Sequence, residues 1–286
     1  MNMKNTIRME LHKVFRNKIL LFSIATGLVL CGMDVVENIY SIQQFHEILQ
    51  WLITTDLRAG HGHSGYSLFY SWMGVTNVTR GASFYCIVWP VLAAMAYGWS
   101  YNSDRRSGVY DQIVVRSNAK TYYVAKYISV FVSGGLAVSV PLLANLLANA
   151  LVCPYAIPKA TIVHNGYFLS ELFYTCPWAY GLIWCGMVFL IGGATACICF
   201  VAGTKLRHGV MLVLVPYVLY IGFDALIATF FPTLAYDLGL NVYLLFFIQG
   251  GPGFPNPEWF VFTVLAVLIG ASFSIGYWQV VKHELV

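Results

Sequence analysis

Long apolar runs alternate with polar stretches along most of the chain. Each run is about long enough for a helix to cross a bilayer core, which takes ~20 apolar residues. Lipid offers the backbone no hydrogen-bond partner, so a helix is the natural spanning element. The pattern predicts an all-α polytopic membrane protein, a single transmembrane domain over residues 1–286 with six transmembrane helices. The predicted spans are about 19–36, 82–101, 122–152, 178–203, 209–231 and 259–281.

The first 18 residues are too charged to span a membrane. Their apolar and basic residues fall on different faces of a helix, which predicts an amphipathic helix lying in the headgroup region with its basic face toward water. A signal peptide is the alternative, but no small-residue cleavage site follows, so we expect the segment to be retained. The apolar face holds Met3, Ile7, Leu11, Val14 and Phe15, and the basic face holds Arg8, His12 and Arg16.

Two further segments interrupt the spans. Residues 38–81 form a long polar section with a candidate helix at Gln43–Ile53 and the sequence HGHSG at 61–65, and we expect a long outer loop there. Residues 241–249 are apolar but too short to cross. Their flanks are rich in glycine and proline, so we expect short re-entrant or interfacial helices between spans five and six.

Composition supports a membrane protein and the charges indicate its orientation. The chain is 59% hydrophobic and 10% charged, with a mean hydropathy of +0.69, whereas roughly a quarter of residues are charged in soluble domains. With six spans and a cytoplasmic N-terminus, all but Arg58, Arg80 and Lys159 of the 16 lysines and arginines lie inside. The positive-inside rule therefore predicts cytoplasmic N and C termini. A formal charge of +4 is too small to indicate a nucleic-acid partner.

Catalytic and metal-binding motifs are absent from the sequence. Nothing matches GxxxxGK[ST], HExxH or GxSxG, so we expect no enzyme and no ATP hydrolysis by this chain. His61 and His63 could share a metal, with His46 and His164 elsewhere outside. We favour ordinary polar loop residues and predict no metal site.

A few polar residues within or near the spans allow more than one structural or functional interpretation. Asp224 lies well inside span five and is either part of a proton or cation pathway or a structural acceptor, which we favour. Asn145 and Asn149 place two amides on one helical face, for helix–helix hydrogen bonding or a polar translocation surface. Cys153 and Cys176 bracket a predicted outer loop and could form a disulfide.

The stretch between spans two and three is the longest charged interruption in the apolar sequence. It begins with Asp104, Arg105, Arg106, Ser107 and Gly108, and then places apolar side chains at helical spacing. One interpretation is a rigid amphipathic helix that fits a groove on a partner. The other is a solvated basic loop that only sets topology. The residues alone favour neither.

This stretch, DRRSGVYDQIVVRSNAKTYYVAKY from Asp104 to Tyr127, resembles the permease subunits of type-2 ABC exporters. Members of that family have an N-terminal elbow helix, six spans and a cytoplasmic coupling loop between spans two and three. That loop carries a charged cluster, Ser-Gly, a short helix and a lysine-containing entry into span three. The resemblance covers nearly the whole chain in layout, although the outer loop at 38–81 is long for the simplest members.

The resemblance implies a subunit of the bacterial plasma membrane that dimerises with itself or a paralogue and recruits a separate ABC ATPase, which binds ATP and Mg. The substrate would be a peptide antibiotic, a drug or a lipid-like molecule, moved out of the cell. The elbow helix (1–18) and the coupling loop (102–121) would contact the ATPase, with the 204–208 turn as a minor contact. The residues implied in coupling are Asp104, Arg105, Arg106, Gly108, Tyr110, Arg8 and Arg16.

Other classes of protein stay open at this stage. An ion- or proton-coupled secondary transporter would use Asp224, but such proteins usually show two related halves and none is evident here. A membrane enzyme acting on lipid would need a cluster of ionisable residues near one interface. A sensing or scaffolding membrane partner is a further possibility.

Overall fold

The computed structural model describes residues 3–54, 68–75, 79–155, 169–206, 208–230, 232–233 and 258–282. Regular secondary structure in these ranges is entirely α-helical, which confirms the predicted fold class. The helices are α1 Met3–Phe15, α2 Lys18–Thr54, α3 Leu68–Ser71, α4 Arg80–Tyr97, α5 Ser100–Arg106, α6 Val109–Ser117, α7 Ala119–Val152, α8 Ser170–Thr175, α9 Pro177–Ala202, α10 Gly209–Phe230 and α11 Glu258–Lys282.

Five of the described helical stretches are long and apolar enough to cross a membrane, and the chain is therefore a multi-pass membrane protein. They are Lys18–Glu47, Arg80–Arg106, Ala119–Val152, Pro177–Ala202 and Val261–Val281. The predicted fifth span coincides with α10, where the apolar stretch that can be assessed, Gly209–Phe223, is shorter. The count of six spans, the sidedness and the elbow role of α1 stay predictions. The re-entrant segment predicted between the last two spans falls on 234–257, outside the described residues.

The first span is longer than its apolar run. Helix α2 continues from Lys18 to Thr54 without a break, so the helix predicted at Gln43–Ile53 is the distal part of α2 and not a separate element within an outer loop. The polar residues Asp34, Glu37 and Asn38 lie within the helix, and their side chains are hydrogen-bonded to neighbouring parts of the bundle. Polarity along the chain marked the end of the apolar stretch and not the end of the helix.

The segment predicted as a cytoplasmic loop is mostly helical. Helices α5 and α6 are joined through Gly108, whose φ of +71° is a left-handed conformation that glycine adopts at little cost. Asn118, with φ of +113°, separates α6 from α7, and its side chain accepts a hydrogen bond from the backbone N–H of Lys120. The predicted short amphipathic helix corresponds to α6. A further helix, α5, precedes it and contains Asp104, Arg105 and Arg106.

Helix α7 occupies the centre of the bundle and packs against α1, α2, α4 and α9. Its contact with α9 is close because both helices present glycine: a Cβ built on Gly134 would lie 2.7 Å from the carbonyl oxygen of Gly192. The glycine-rich fourth span was predicted to be buried among other helices, and the burial of Gly192 and Gly193 in α9 confirms this. The bundle thus encloses polar groups of α7 at both of its ends.

Candidate functional site

A buried lysine joins three separate parts of the chain at the end of the bundle that holds α1, α5 and α6. Lys126 in α7 is fully buried, and its Nζ lies 3.0 Å from Oε2 of Glu10 and 2.5 Å from Oδ2 of Asp104. Glu10, in α1, is also fully buried, and the Asp104 side chain, in α5, is 17% exposed. We call Glu10, Asp104, Lys126 and the two tyrosines described next the ion-pair cluster.

Two tyrosines complete the ion-pair cluster. The hydroxyl of Tyr97, from α4, donates to Oε2 of Glu10 at 3.2 Å, and the hydroxyl of Tyr122, from α7, donates to Oδ2 of Asp104 at 2.8 Å. The Lys126 ammonium also lies over the Tyr97 ring, 4.7 Å from its centroid. A buried charge is tolerated only when paired and hydrogen-bonded, and each charged group here has such partners.

Helix α1 reaches the cluster because of the spacing of its residues. Thr6, Glu10 and Val14 are four apart, so they form one stripe, and all three are buried. Lys13 lies at the edge of this stripe, and its Nζ approaches Oε1 of Glu10 at 2.6 Å. Glu10 therefore has a cation on each carboxylate oxygen, and the pair with Lys126 holds α1 against α7.

The residues that the resemblance implies in coupling lie on the outer side of the ion-pair cluster. Arg105 and Arg106 are exposed at the end of α5, and Arg105 donates from Nη1 to the carbonyl oxygen of Thr204 at 3.4 Å. Gly108 forms the turn between α5 and α6. Arg8, on α1, and Arg16, which directly follows α1, are exposed.

Tyr110 differs from the other implied coupling residues because its side chain is buried. Its ring packs edge-to-face against Tyr101 and Tyr122. Tyr110 thus supports α6 from beneath and does not present its ring to a partner. The exposed side chains of α6 include Asp111, Val115 and Arg116.

A second set of buried polar groups surrounds Asp34 toward the opposite end of the bundle. Asp34, in α2, is 1% exposed. Its Oδ2 accepts hydrogen bonds from the side-chain amides of Asn145 at 2.8 Å, Asn149 at 3.3 Å and Asn38 at 3.3 Å. Thr79 donates from Oγ1 to the other oxygen, Oδ1. We call these five residues the carboxylate–amide cluster.

Backbone groups fix the orientation of the amides in this cluster. The Asn145 side-chain oxygen accepts from the backbone N–H of Met73, and its amide nitrogen donates to the carbonyl of Cys31 as well as to Asp34. The Asn38 amide donates to the carbonyl of Ser71 at 3.0 Å. The amide nitrogens therefore point toward the carboxylate, an arrangement that suits an anion.

The N-terminus of α4 contributes to the same cluster. Thr79 is the N-cap, and its hydroxyl oxygen accepts from the backbone N–H of Ala82. Glu37 accepts from the backbone N–H of Arg80 at 2.8 Å. Two carboxylates of α2 thus lie at the positive end of the α4 dipole, a favourable position for negative charge.

The sequence-based expectations for the spans are changed by these two clusters. Asp224 was expected to be the one ionisable residue well inside a span, but Asp34 and Lys126 are buried ionisable residues of the helices α2 and α7. Asp224 lies in α10 and its side chain is outside the described part of the structure. Asn145 and Asn149 do hydrogen-bond between helices, the first of the two interpretations offered for them.

The two cysteines considered for a disulfide are both free thiols in this structure. Cys153 is buried beside Asn149, with its Sγ 3.7 Å from the amide oxygen, whereas Cys176 is exposed. Burial raises the pKa of the Cys153 thiol.

No metal site appears in the described part of the chain, where no group of three or more His, Cys, Asp or Glu side chains could hold an ion. His46 is exposed on α2. His61, His63 and His164 lie outside the described residues.

Sequence reasoning missed Glu10, Lys126 and Asp34, which are the three most informative charged residues. A signal existed for each one. Glu10 is the only acidic residue in a basic amphipathic helix, and Lys126 follows the apolar start of the third span. Asp34 is four residues before Asn38, so the two side chains lie on one helical face, and an amide is a suitable hydrogen-bond donor for a carboxylate in an apolar run.

Comparison with known protein families and with curated proteins finds no match to this chain.

Proposed function

We propose that the chain is the transmembrane permease subunit of an ATP-driven ABC exporter. It pairs with a second permease subunit, itself or a paralogue, and with a separate ATPase that binds ATP and Mg. Its substrate is an amphiphilic molecule such as a peptide antibiotic, a drug or a lipid-like compound, moved out across the bacterial plasma membrane. The termini and the α5–α6 segment face the cytoplasm in this arrangement. The order of a short amphipathic helix, apolar helices and a helical insert after the second span supports the proposal.

The ion-pair cluster is the observation that carries the proposal. An exporter permease must transmit movement of its ATPase to its spanning helices. Lys126 of α7 binds Asp104 of α5 and Glu10 of α1, so a displacement of the α5–α6 segment acts directly on both helices. A loop that only set topology would need no buried ionic connection to the bundle, since solvated charges would serve that purpose.

The surface next to the cluster suits a docking role. Arg105 and Arg106 are exposed there, and Val115 on α6 is 87% exposed. Arg105 also contacts the carbonyl of Thr204 in the turn before α10, so this turn adjoins the same surface. A partner groove with acidic residues around an apolar centre would complement these side chains.

Co-purification tests the proposal. The tagged chain is purified from its host in mild detergent, and a P-loop ATPase of separate mass is identified by mass spectrometry. We expect its recovery from the native chain and at least a tenfold loss, roughly 1.4 kcal/mol of binding free energy, for R105A/R106A. The variant R80A removes an exposed arginine from the opposite end of the bundle and is the control. Absence of any ATPase with the native chain, or equal loss in both variants, would contradict the proposal.

The carboxylate–amide cluster favours one second candidate, an ion- or proton-coupled secondary transporter. In this alternative Asp34, and not Asp224, is the ion or proton site, because Asp34 is a buried carboxylate that is hydrogen-bonded to α7 and to the N-cap of α4. Intramembrane carboxylates of this kind often mark ion pathways. The surrounding donors are nevertheless fully oriented toward an anion, which fits a structural acceptor as well.

Transport in membrane vesicles separates the two functions. A secondary transporter would respond to an imposed proton or sodium gradient without ATP, and D34N would abolish this response while the protein stays folded. For an exporter permease, uptake into inside-out vesicles depends on ATP and the partner. A gradient-driven, Asp34-dependent flux would replace the exporter proposal.

A further inference from the structure

Helix α1 carries a row of basic residues that the ion-pair cluster does not use. Lys4, Arg8 and His12 of α1 and Arg16 directly after it are four residues apart, and all four are exposed. None of the four forms an ion pair with another described residue, whereas Lys13 is paired with Glu10. We call these four residues the basic stripe.

The basic stripe lies on the far side of α1 from the protein. At 100° per residue, Arg8 and Glu10 point about 160° apart around the helix axis. Thr6, Glu10 and Val14 are buried against the bundle. The charge of the basic stripe is therefore directed outward, away from every contact that holds α1 in place.

Exposed apolar side chains lie beside the basic stripe on the same helix. Phe15 is 58% exposed and points about 20° from Arg8 around the helix axis, and the half-buried Leu11 and Ile7 continue this apolar edge toward the bundle. A helix with an outward apolar edge next to a basic edge is typical of peptides that lie at the interface of a membrane, with the apolar edge among acyl chains and the cations at the headgroups.

The junction with α2 places α1 at that depth. Only two residues separate Phe15 from Lys18, where the first spanning helix begins. Asn17 holds this junction: its side-chain oxygen accepts from the backbone N–H of Ile19, and its amide donates to the carbonyl of Ala96 in α4 at 3.1 Å. Helix α1 therefore cannot move far from the membrane surface at which α2 starts.

We propose that the basic stripe binds the headgroups of anionic phospholipids. A phosphodiester with net negative charge complements a row of cations spaced by ~6 Å, the rise of four helical residues. The junction with α2 favours lipid over a soluble partner, because Asn17 holds the basic stripe at the depth where the first spanning helix begins. The resemblance implied an ATPase contact for Arg8 and Arg16, and this proposal gives them a different partner. It holds whether or not the chain is an exporter subunit.

Native mass spectrometry of the detergent-purified full chain tests the proposal. Phosphatidylglycerol and phosphatidylcholine with identical acyl chains are titrated in competition, and the ratio of the bound lipids is measured. Each Lys or Arg near an anionic surface adds about fivefold to binding. We expect the native chain to prefer phosphatidylglycerol by about tenfold or more, and K4Q/R8Q/R16Q to lose most of that preference.

Two controls make the result specific. The variant R105Q/R106Q/K120Q removes the same charge from exposed residues outside α1 and should retain the preference. The charge-conserving variant K4R/R8K/R16K should retain it too, which shows that a loss in the glutamine variant reflects charge and not misfolding. Raising the salt concentration should weaken the preference of the native chain by screening.

Three outcomes would overturn the proposal. One is a native chain without preference for phosphatidylglycerol. Another is an equal loss in K4Q/R8Q/R16Q and in R105Q/R106Q/K120Q, which would mean that the net charge and not the stripe selects the lipid. The third is an unchanged lipid preference in K4Q/R8Q/R16Q together with lost recovery of a P-loop ATPase, which would assign the stripe to a protein partner.

Discussion

The two ends of helix α7 stabilise buried carboxylates in different ways. In the ion-pair cluster, one buried ammonium group, that of Lys126, is shared between Glu10 and Asp104. The carboxylate–amide cluster surrounds Asp34 with neutral donors from three side-chain amides and one hydroxyl. The connection between helices in the ion-pair cluster depends on the single residue Lys126, whereas four residues donate hydrogen bonds to Asp34 in the carboxylate–amide cluster.

This difference indicates different roles. An ammonium that bridges two carboxylates on separate helices connects those helices through one point, which suits an element that moves as a unit. A side-chain amide donates in a fixed plane, and the amides of Asn38, Asn145 and Asn149 each form a further hydrogen bond to a backbone or side-chain group. The carboxylate–amide cluster therefore fixes the relative position of α2, α4 and α7.

The largest effect that we expect comes from K126M. It leaves two carboxylates buried without their shared cation, and breaking a buried pair in this way costs about 3–5 kcal/mol. The unfolding midpoint in detergent, followed by tryptophan fluorescence, should fall steeply. The matched control is K120M, since Lys120 is exposed six residues earlier on the same helix. Similar midpoints for K126M and K120M would mean that the ion-pair cluster contributes little.

The next effect is expected from D34N. Asparagine has one acceptor oxygen in place of two, so either the amides of Asn145 and Asn149 or the hydroxyl of Thr79 lose their acceptor. Leaving such buried donors without an acceptor costs about 2–3 kcal/mol. The same unfolding assay measures it, with D111N on exposed α6 as the control. If D34N unfolded like the native chain, the carboxylate would not be the acceptor that organises the cluster.

A pair of glycine substitutions examines how close α2 and α4 must lie for Thr79 to reach Asp34. A Cβ on Gly81 would lie 2.5 Å from the backbone nitrogen of Asp34 and 2.6 Å from the carbonyl oxygen of Leu30. Because both are backbone atoms, G81A should separate the helices at a cost of about 2 kcal/mol.

The matched substitution is G32A in α2, where an added Cβ meets nothing within 4 Å. Alanine is the better helix former, so G32A should be neutral or stabilise by up to about 1 kcal/mol. Equal behaviour of the two variants in the unfolding assay would show that close helix approach is not required at Gly81.

The smallest effect concerns cysteine reactivity, which is measured on the native chain without any substitution. Cys153 is buried beside Asn149 with a raised pKa, and Cys176 is exposed. A thiol with a raised pKa is less often the reactive thiolate at neutral pH, so maleimide should label Cys176 first and Cys153 only as the pH is raised. Peptide mass spectrometry gives both rates. In D34N, faster labelling of Cys153 would report a loosened carboxylate–amide cluster, and a disulfide between the two would remove both signals.

The sequence was most informative where hydrophobicity decides the structure. The apolar runs predicted the spanning helices to within a few residues for α7 and α9, because lipid leaves a helix no alternative. The continuation of α2 beyond its apolar run and the helicity of α5 were not predicted. In both places the polar side chains are satisfied by residues distant in the sequence, which hydropathy along the chain does not record.

The candidate site shows the same limit. Asn145 and Asn149 were recognised because their i, i+4 spacing places them on one face, but their acceptor, Asp34, lies 111 residues before Asn145. Lys126 was counted among loop charges that set topology, while Tyr110 was expected at the surface. Their burial follows from the packing of α1 and α6 on α7, which depends on three-dimensional contacts and not on local pattern.

The contact between Glu10 and Lys126 has a consequence for biosynthesis. The two residues are 116 positions apart, so the ribosome completes α1 to α6 before it adds Lys126, which connects Glu10 to α7. Until the third span is made, Glu10 has only Lys13, on its own helix, as an ionic partner. The seating of α1 is therefore a late event of membrane insertion, and a nascent chain truncated before Lys126 should keep its first helix open to protease.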